Sequence, residues 1–502
     1  MKRFVTIMGV VLCLAEGHAQ DINRKNAHQA LDDFRKEARE DFDNFRKEAR
    51  EDFDNFRKEC LDEFIAFLKN PWKEFKEIPP EPKPKDEDIP PITIPEDELN
   101  KPIESRPIKI DDIIKPLPIQ PQPTPIEPIE EVPRPADYVN FRFFGTDAKV
   151  RFDVANRIQL KGISEQQVAD ALRKVSLEDY DNMLIDCLAL REQRQLSDWA
   201  YLMMLKALSE KIAGGTNNNA TLTLAFLYMQ SGYKMRLASD GNKLYMLFAT
   251  NHHIYDLPAF VVGAHIYYAM DKDVPNPLMI CEAAFPKEKE LSLLIPYQQK
   301  FDLSSSEKRT ITSKRYQDFS VDFTVNKNLI EFYDTYPTSM VDMNFITRWA
   351  MYANTPMDEY VQKQMYSTLK KNLTGLSQLE AAERLLNLVQ TGFVYEYDNK
   401  VWGHDRAFFA EESLYYPYCD CEDRSILFTR LVRDLLGLKC ILVYYPEHLA
   451  AAVAFKEGQV KGDYIMQDGN KYVITDPTYI GAPVGRTMPG MNNSSAKVIM
   501  LK

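Results

Sequence analysis

Tyr418-Cys419-Asp420-Cys421-Glu422-Asp423-Arg424-Ser425 runs straight into an apolar-periodic segment. His448 follows Cys421 by 27 residues, and Asp476 follows His448 by 28. A thiol at the start of a helix gains from the positive end of the helix, which favours the thiolate. A histidine on a following strand can take its proton, and an aspartate on the next strand can fix the imidazole tautomer. Nucleophile, base and orienter therefore occur in order.

The local pattern predicts the elements that carry them. Glu422, Asp423 and Ser425 suit a first helical turn, Ile426, Leu427, Leu431, Val432, Leu435 and Leu436 form its apolar face, and Gly437 stops it. Cys440 to Tyr445 reads as a buried strand, and Pro446-Glu447 as a turn. His448 to Phe455 is the next strand, Asp468-Gly469-Asn470 a tight turn, and Lys471 to Thr475 a third strand ending at Asp476-Pro477-Thr478. A helix followed by antiparallel strands brings Cys421, His448 and Asp476 to neighbouring strand ends.

Cys-Glu-Asp-Arg-Ser, Pro-Glu-His and Asp-Pro-Thr resemble the signatures of the transglutaminase-like branch of the papain-like thiol enzymes, over about residues 340–482. The resemblance implies a helix packed on an antiparallel sheet. It makes Cys421 the nucleophile, His448 the base and Asp476 the third member. The oxyanion would meet the Cys421 N–H and an upstream donor that the sequence does not identify. Cys419 stands where related sequences often carry Gly. The implied chemistry is thiol acyl transfer on protein or peptide amides, by hydrolysis (a peptidase or amidase) in preference to cross-linking. The alternative is an inactive transglutaminase-like binding or assembly scaffold of the cell envelope. Two rival uses of the thiols stay open. Cys419, Cys421, His404 and His448 offer four zinc donors, though Cys-x-Cys is tighter than structural zinc sites use. A Cys421–Cys440 disulfide would silence the nucleophile. No cofactor and no metal are expected, and His252-His253 reads as a surface or core pair.

Residues 1–19 read as a secretory signal, with Lys2 and Arg3, an apolar Phe4–Leu14 and a small-residue end at Gly17-His18-Ala19. This predicts a secreted or periplasmic, bacterial-type protein. No later stretch is apolar enough to span a membrane after signal cleavage. A net charge of −12 with no basic stripe argues against a nucleic-acid partner.

Residues 20–78 hold an eleven-residue repeat: Phe34-Arg35-Lys36-Glu37-Ala38-Arg39-Glu40-Asp41-Phe42-Asp43-Asn44 recurs identically from Phe45 to Asn55. Its apolar row predicts a long helix that self-associates as a coiled coil or stands as a rod. Residues 79–136 are Pro-rich and read as an extended spacer. Residues 137–335 predict an α+β domain, and residues 336–502 the transglutaminase-like catalytic domain. An offset of 205 sets Gly232 against Gly437 and Tyr267 against Tyr472. It also sets Thr216, Lys243 and Asp271 against Cys421, His448 and Asp476. This predicts a degenerate copy of the same fold, unless any helix–Gly–strand unit would align as well. The fold class expected is therefore α+β, with a duplicated papain-like core behind a long helix and a Pro-rich linker.

Overall fold

The computed structural model describes residues 36–42, 44, 47, 59, 61–84, 89–126, 129–132, 137–177 and 179–502. The chain forms two units, residues 1–63 and residues 64–502. In the first, residues 36–42 are helical and Phe42 is exposed. Of the expected self-association row, Phe34, Phe45, Ala49, Phe53, Phe56 and Cys60 lie outside the described residues, as does the signal segment.

In the second unit a helical stretch continues to residue 68, with Phe64, Ile65 and Leu68 buried and Phe64 against Phe285 at 4.3 Å. It stops short of the expected residue 78. Pro71 disfavours helical backbone at Asn70, and the chain turns extended as strand β1 (Lys73–Phe75). The Pro-rich segment does not run as a free spacer. It supplies strands β2 (Arg106–Pro107) and β3 (Ile110–Ile114) and bridges Thr93 to Ile480, just after Ile78 has bridged to Ala259. Further on, Gln122 Nε2 donates to the Leu196 carbonyl at 2.8 Å, and the Val132 N–H to Asn182 Oδ1 at 2.8 Å. The prolines make the backbone extended, and the isoleucines between them bury against the body. Ile94, Ile108 and Ile114 are all buried. Edge positions are where a chain short of N–H donors can join a sheet.

The body is mixed α+β. Helices α1 (Asp198–Ala213) and α2 (Asn218–Gln230) precede strands β4 (Met235–Ser239), β5 (Leu244–Ala249), β6 (Ala259–Val262), β7 (His265–Ala269) and β8 (Leu278–Ile280). Helix α3 (Thr347–Asn354) follows. Then α4 (Gln378–Gly392) and α5 (Cys421–Leu436) precede β9 (Lys439–Tyr445), β10 (His448–Ala454), β11 (Asp463–Gln467), β12 (Asn470–Thr475) and β13 (Ala496–Met500). Among the described residues no helix is long and apolar enough to cross a membrane.

The first sheet runs β1-β8-β4-β5-β7-β6, and the second β2-β11-β12-β10-β9-β13-β3. Stripped of β1, β2 and β3, the two have one order and the same antiparallel pairings. The registers coincide at the offset of 205. Met235 pairs with Phe248 as Cys440 pairs with Val453, and Ser239 with Leu244 as Tyr444 with Leu449. Tyr267 pairs with Ala249 as Tyr472 with Ala454, and His265 with Val262 as Asn470 with Gln467. The fifth strand keeps its place at a larger offset, with Met279 beside Ser239 and Lys497 beside Tyr444. In each sheet a helix packs on the two central strands and on a second helix, α2 with α1 and α5 with α4.

Ile108 is buried in the core of the second sheet beside Ile465 and Val498. Ile108→Ala is expected to destabilise the protein by about 2–4 kcal/mol, read as a fall in thermal midpoint. An unchanged midpoint would restore the spacer reading of the Pro-rich segment.

Candidate functional site

The sequence forms α5 where its cap residues dictate. Asp420 has extended backbone and its N–H donates to Asp423 Oδ2 at 3.3 Å, and Gly437 closes the helix in the left-handed region at φ 61°. Cys421 is the first helical residue and is buried. Its Sγ donates to Glu422 Oε2 at 3.2 Å. Ser425 Oγ donates to the Leu449 carbonyl at 2.8 Å, which pins the helix to β10 beside His448. Buried Arg424 donates to the carbonyls of Gln390 (3.3 Å) and Phe393 (3.1 Å), which ties the same turn to the end of α4.

His448 opens β10 and Asp476 follows the last residue of β12. Ala451 pairs with Thr475, so Asp476 falls opposite Ala450 and His448 becomes its diagonal neighbour on the same face. His448 Nε2 and Asp476 Oδ2 are 2.8 Å apart, and both side chains are buried. The other oxygen, Asp476 Oδ1, accepts from the backbone N–H of Thr478 (2.8 Å) and Tyr479 (3.2 Å). Buried Gln390 clamps this turn: its Nε2 donates to the carbonyls of Asp476 (3.0 Å), Tyr479 (2.7 Å) and Ala482 (3.1 Å), and its Oε1 accepts from Gly481 N–H (3.1 Å). With Nε2 engaged, His448 Nδ1 is buried without a hydrogen-bond partner. An imidazole that gives one N–H to a carboxylate presents a basic lone pair at the other nitrogen.

Cys421 and His448 line one cavity of about 90 Å³, together with Phe345, Trp349, Tyr444 and Glu447. Trp349 sits on α3, its ring tilted on Tyr444 at 5.3 Å and edge-on to Phe345 at 5.9 Å. The Trp349 Nε1–H is buried and has no acceptor. A buried indole N–H usually finds a partner, so Trp349, one of the residues around this cavity, keeps an unspent donor.

Behind Cys421 lies a group of buried carboxylates. Asp398, Asp405 and Glu422 bring oxygens within 4.8 Å of one another, and so do Asp398, Asp420 and Asp423. Arg348 pairs with Asp405, and the Phe408 N–H donates to Asp423 Oδ1 at 2.7 Å. Burial, then Asp398 and Glu422, push the Asp423 carboxyl well above the usual range. Glu422 and Asp423 stand in the first helical turn, as the sequence predicts, and both are buried.

The rival thiol chemistries are not assembled. Cys419, Cys421 and Cys440 carry no disulfide. Cys419 Sγ faces the Val394 carbonyl at 4.0 Å, and burial pushes this thiol up to about 11 and that of Cys440 up to about 12. His404 lies against Lys83 at 3.4 Å, and the groups with metal-ligand spacing among the described residues contain only carboxylates. His252 is a core residue that burial pushes down to about 4, whereas His253 is partly exposed and pairs with Glu81 at 2.6 Å.

Compared with known proteins, the chain matches no family model and no curated relative. The site therefore rests on its own geometry. Sequence reasoning named Cys421, His448 and Asp476, and the structure brings Cys421 and His448 to one cavity and Asp476 onto His448. It missed Trp349, Gln390, Asp398 and Asp405. These come from segments 16 to 72 residues before Cys421 and carry no local motif.

Glu411, buried in the helix Ala410–Tyr415, is pushed up to about 8, chiefly by desolvation, against an ordinary 4.5. The folded protein keeps this proton to about pH 8, while the unfolded chain releases it near 4.5. Its stabilising contribution is full below that lower value and is lost as pH rises through the folded one. The thermal midpoint is expected to fall between pH 5 and pH 8 in the wild type and to fall less steeply in Glu411→Gln. Parallel slopes in a pH series of melting curves would refute this.

Proposed function

We propose that this chain is a thiol acyl-transfer enzyme acting on protein or peptide amides through Cys421, His448 and Asp476. Hydrolysis is favoured over cross-linking. The observation that carries the reading is the buried His448–Asp476 pair at 2.8 Å, with Nδ1 without a hydrogen-bond partner and His448 lining a cavity shared with Cys421. Support for a papain-like or transglutaminase-like core comes from the helix-then-antiparallel-strands order, with the thiol at the helix start and the base and orienter on two adjacent strands.

The mechanism follows from these groups. The Cys421 thiol proton passes to His448 Nδ1, and Asp476 stabilises the imidazolium formed. The thiolate attacks the amide carbonyl carbon, and the C=O electron pair moves onto oxygen. That oxyanion is met by the Cys421 N–H, one of the helix-end donors, and by the Trp349 Nε1–H. In this reading Trp349 is the upstream donor that the sequence could not identify. Collapse expels the amine, which takes the proton from His448 Nδ1, and leaves a thioester. His448 then deprotonates water, which attacks the thioester and releases a carboxylate product and the thiol. The signal-like residues 1–19 support placing this activity outside the cytoplasm, in a secreted or periplasmic protein.

The inactive-scaffold reading has one observation in its favour. Glu422 Oε2 lies 3.2 Å from Cys421 Sγ, and a carboxylate beside a thiol opposes its ionisation. Iodoacetamide labelling of Cys421, followed against pH by peptide mass spectrometry, separates the two. The enzyme reading expects rapid labelling below pH 7 that His448→Ala abolishes. Labelling only near the ordinary thiol value of about 8.5, unchanged in His448→Ala, would favour the scaffold.

Trp349→Phe gives an independent test of the oxyanion role. Alkylation of the thiolate builds no oxyanion, so its rate is expected to stay near wild type. Amide turnover, measured on a denatured protein substrate, is expected to drop by about 10²-fold. Equal losses in both rates would assign Trp349 to packing instead.

A further inference from the structure

The cavity shared by Cys421 and His448 is lined by two carboxylates, Glu422 and Glu447, and, among the described residues, by no lysine or arginine. Glu422 belongs to its interior. It is 2% exposed, its Oε2 lies 3.2 Å from Cys421 Sγ, and its Oε1 has no hydrogen-bond partner. A buried carboxylate oxygen is unfavourable until a donor or a cation reaches it. Glu447 belongs to the rim. It is exposed and stands directly before His448, which opens β10. Its φ is 64°, in the left-handed region where glycine or asparagine is usual. The Ile89 N–H donates to its carbonyl at 3.3 Å, which leaves the side chain to the cavity.

The rest of the lining suits the stem of a long cationic side chain. Phe345, Trp349 and Tyr444 pack as one group, with ring centroids 5.9, 5.6 and 5.3 Å apart. Aromatic faces attract ammonium and guanidinium groups, and lysine and arginine bury their methylene stems on apolar surface. One cation already stands against this group, since Arg348 lies over the Trp349 ring at 4.7 Å. It is paired with Asp405 and is not among the residues around the cavity. An acidic side chain entering here would meet two carboxylates. A neutral apolar one would leave Glu422 Oε1 without a donor. A lysine or arginine answers both, and the net charge of −12 draws basic partners over distance.

We infer that the cavity selects peptides with a lysine or arginine next to the amide that Cys421 attacks, and that Glu447 and Glu422 determine this specificity. The cation is a recognition group and not the acyl acceptor. Glu447 meets it at the rim, and Glu422 Oε1 accepts from it inside. The peptide as substrate rests on the acyl-transfer reading above. The selection for positive charge rests on the lining alone.

The first arm of the test needs no turnover. Cys421 in the full-length protein is alkylated with 2-bromoethylammonium, iodoacetamide or iodoacetate. Each rate, read at Cys421 by peptide mass spectrometry, is divided by the rate of the same reagent on the urea-unfolded chain. The cationic reagent is expected to exceed the anionic one by about tenfold, with iodoacetamide between them. Glu447→Gln should cut that ratio several-fold. Glu457→Gln, an equal charge change on an exposed residue beyond the far end of β10, should not. Melting curves check that both variants keep the fold. Equal normalised rates for the two charged reagents, or the same fall in both variants, would overturn the selection. The second arm uses capped alanine pentapeptides with a central Lys, Ala or Glu. The Lys peptide is expected to show a kcat/KM about tenfold above that of the Glu peptide, and Glu447→Gln should shrink the difference. Equal turnover of all three would overturn the specificity and leave the Cys421 reading intact. No turnover of any, with the reagent ratio kept, would uphold the cation-selective cavity while the Cys421 reading fails.

Discussion

The antiparallel register of β10 on β12 is the constraint from which the site follows. It sets Ala451 against Thr475 and so makes His448 and Asp476 diagonal neighbours on one face of the sheet. A slip of one residue would send the two side chains to opposite faces. The register is held from both sides. The alanine run of β10 and the β-branched run of β12 bury completely, and Gln390 ties the turn after β12 to α4. Ser425 then sets the height of α5 along β10, which brings Cys421 to the cavity that His448 also lines.

That placement has a cost. The first turn of α5 carries Glu422 and Asp423 into the interior, against Asp398, which opens a short helix (Asp398–Val401), and Asp405. Buried carboxylates demand partners or protons. Arg348 answers Asp405, backbone N–H groups answer Asp423, and burial with neighbouring acids pushes the Asp423 carboxyl up. The fixed geometry of α5's start therefore depends on a polar interior and not on apolar packing alone. The same interior brings Arg348 over the ring of Trp349, at 4.7 Å, the residue that keeps the unspent indole N–H.

What could be read in the sequence was local. The helix from Cys421 to Leu436, its stop at Gly437 and the strands around His448 and Asp476 follow from cap residues, hydrophobic runs and the Asp468-Gly469 turn, whose φ values are 49° and 72°. Trp349 and Gln390 were illegible because nothing near them in sequence marks Cys421, 72 and 31 residues downstream. Composition misled in the Pro-rich segment, since counting prolines ignores the isoleucines set between them. The offset of 205 was visible as spacing, and side-chain identity could not decide it. Hydrogen-bond register decides more sharply, because it tests the alignment at every pair and tolerates no slip.

The two sheets share one weakness and one remedy. A five-stranded antiparallel unit presents open edges, which invite pairing with other chains. In the first sheet β1 covers the β8 edge. In the second, β3 covers β13 and β2 covers β11. All three strands come from the chain that precedes both units, so neither sheet protects itself. A strand two to five residues long has no core of its own and depends on the sheet it joins. The strap therefore reports on the state of the body it closes. It also reaches the site: the Ile89 N–H donates to the carbonyl of Glu447 at 3.3 Å, at the left-handed turn residue directly before His448. The segment that seals the sheet edges is thus hydrogen-bonded to the turn that aims the histidine.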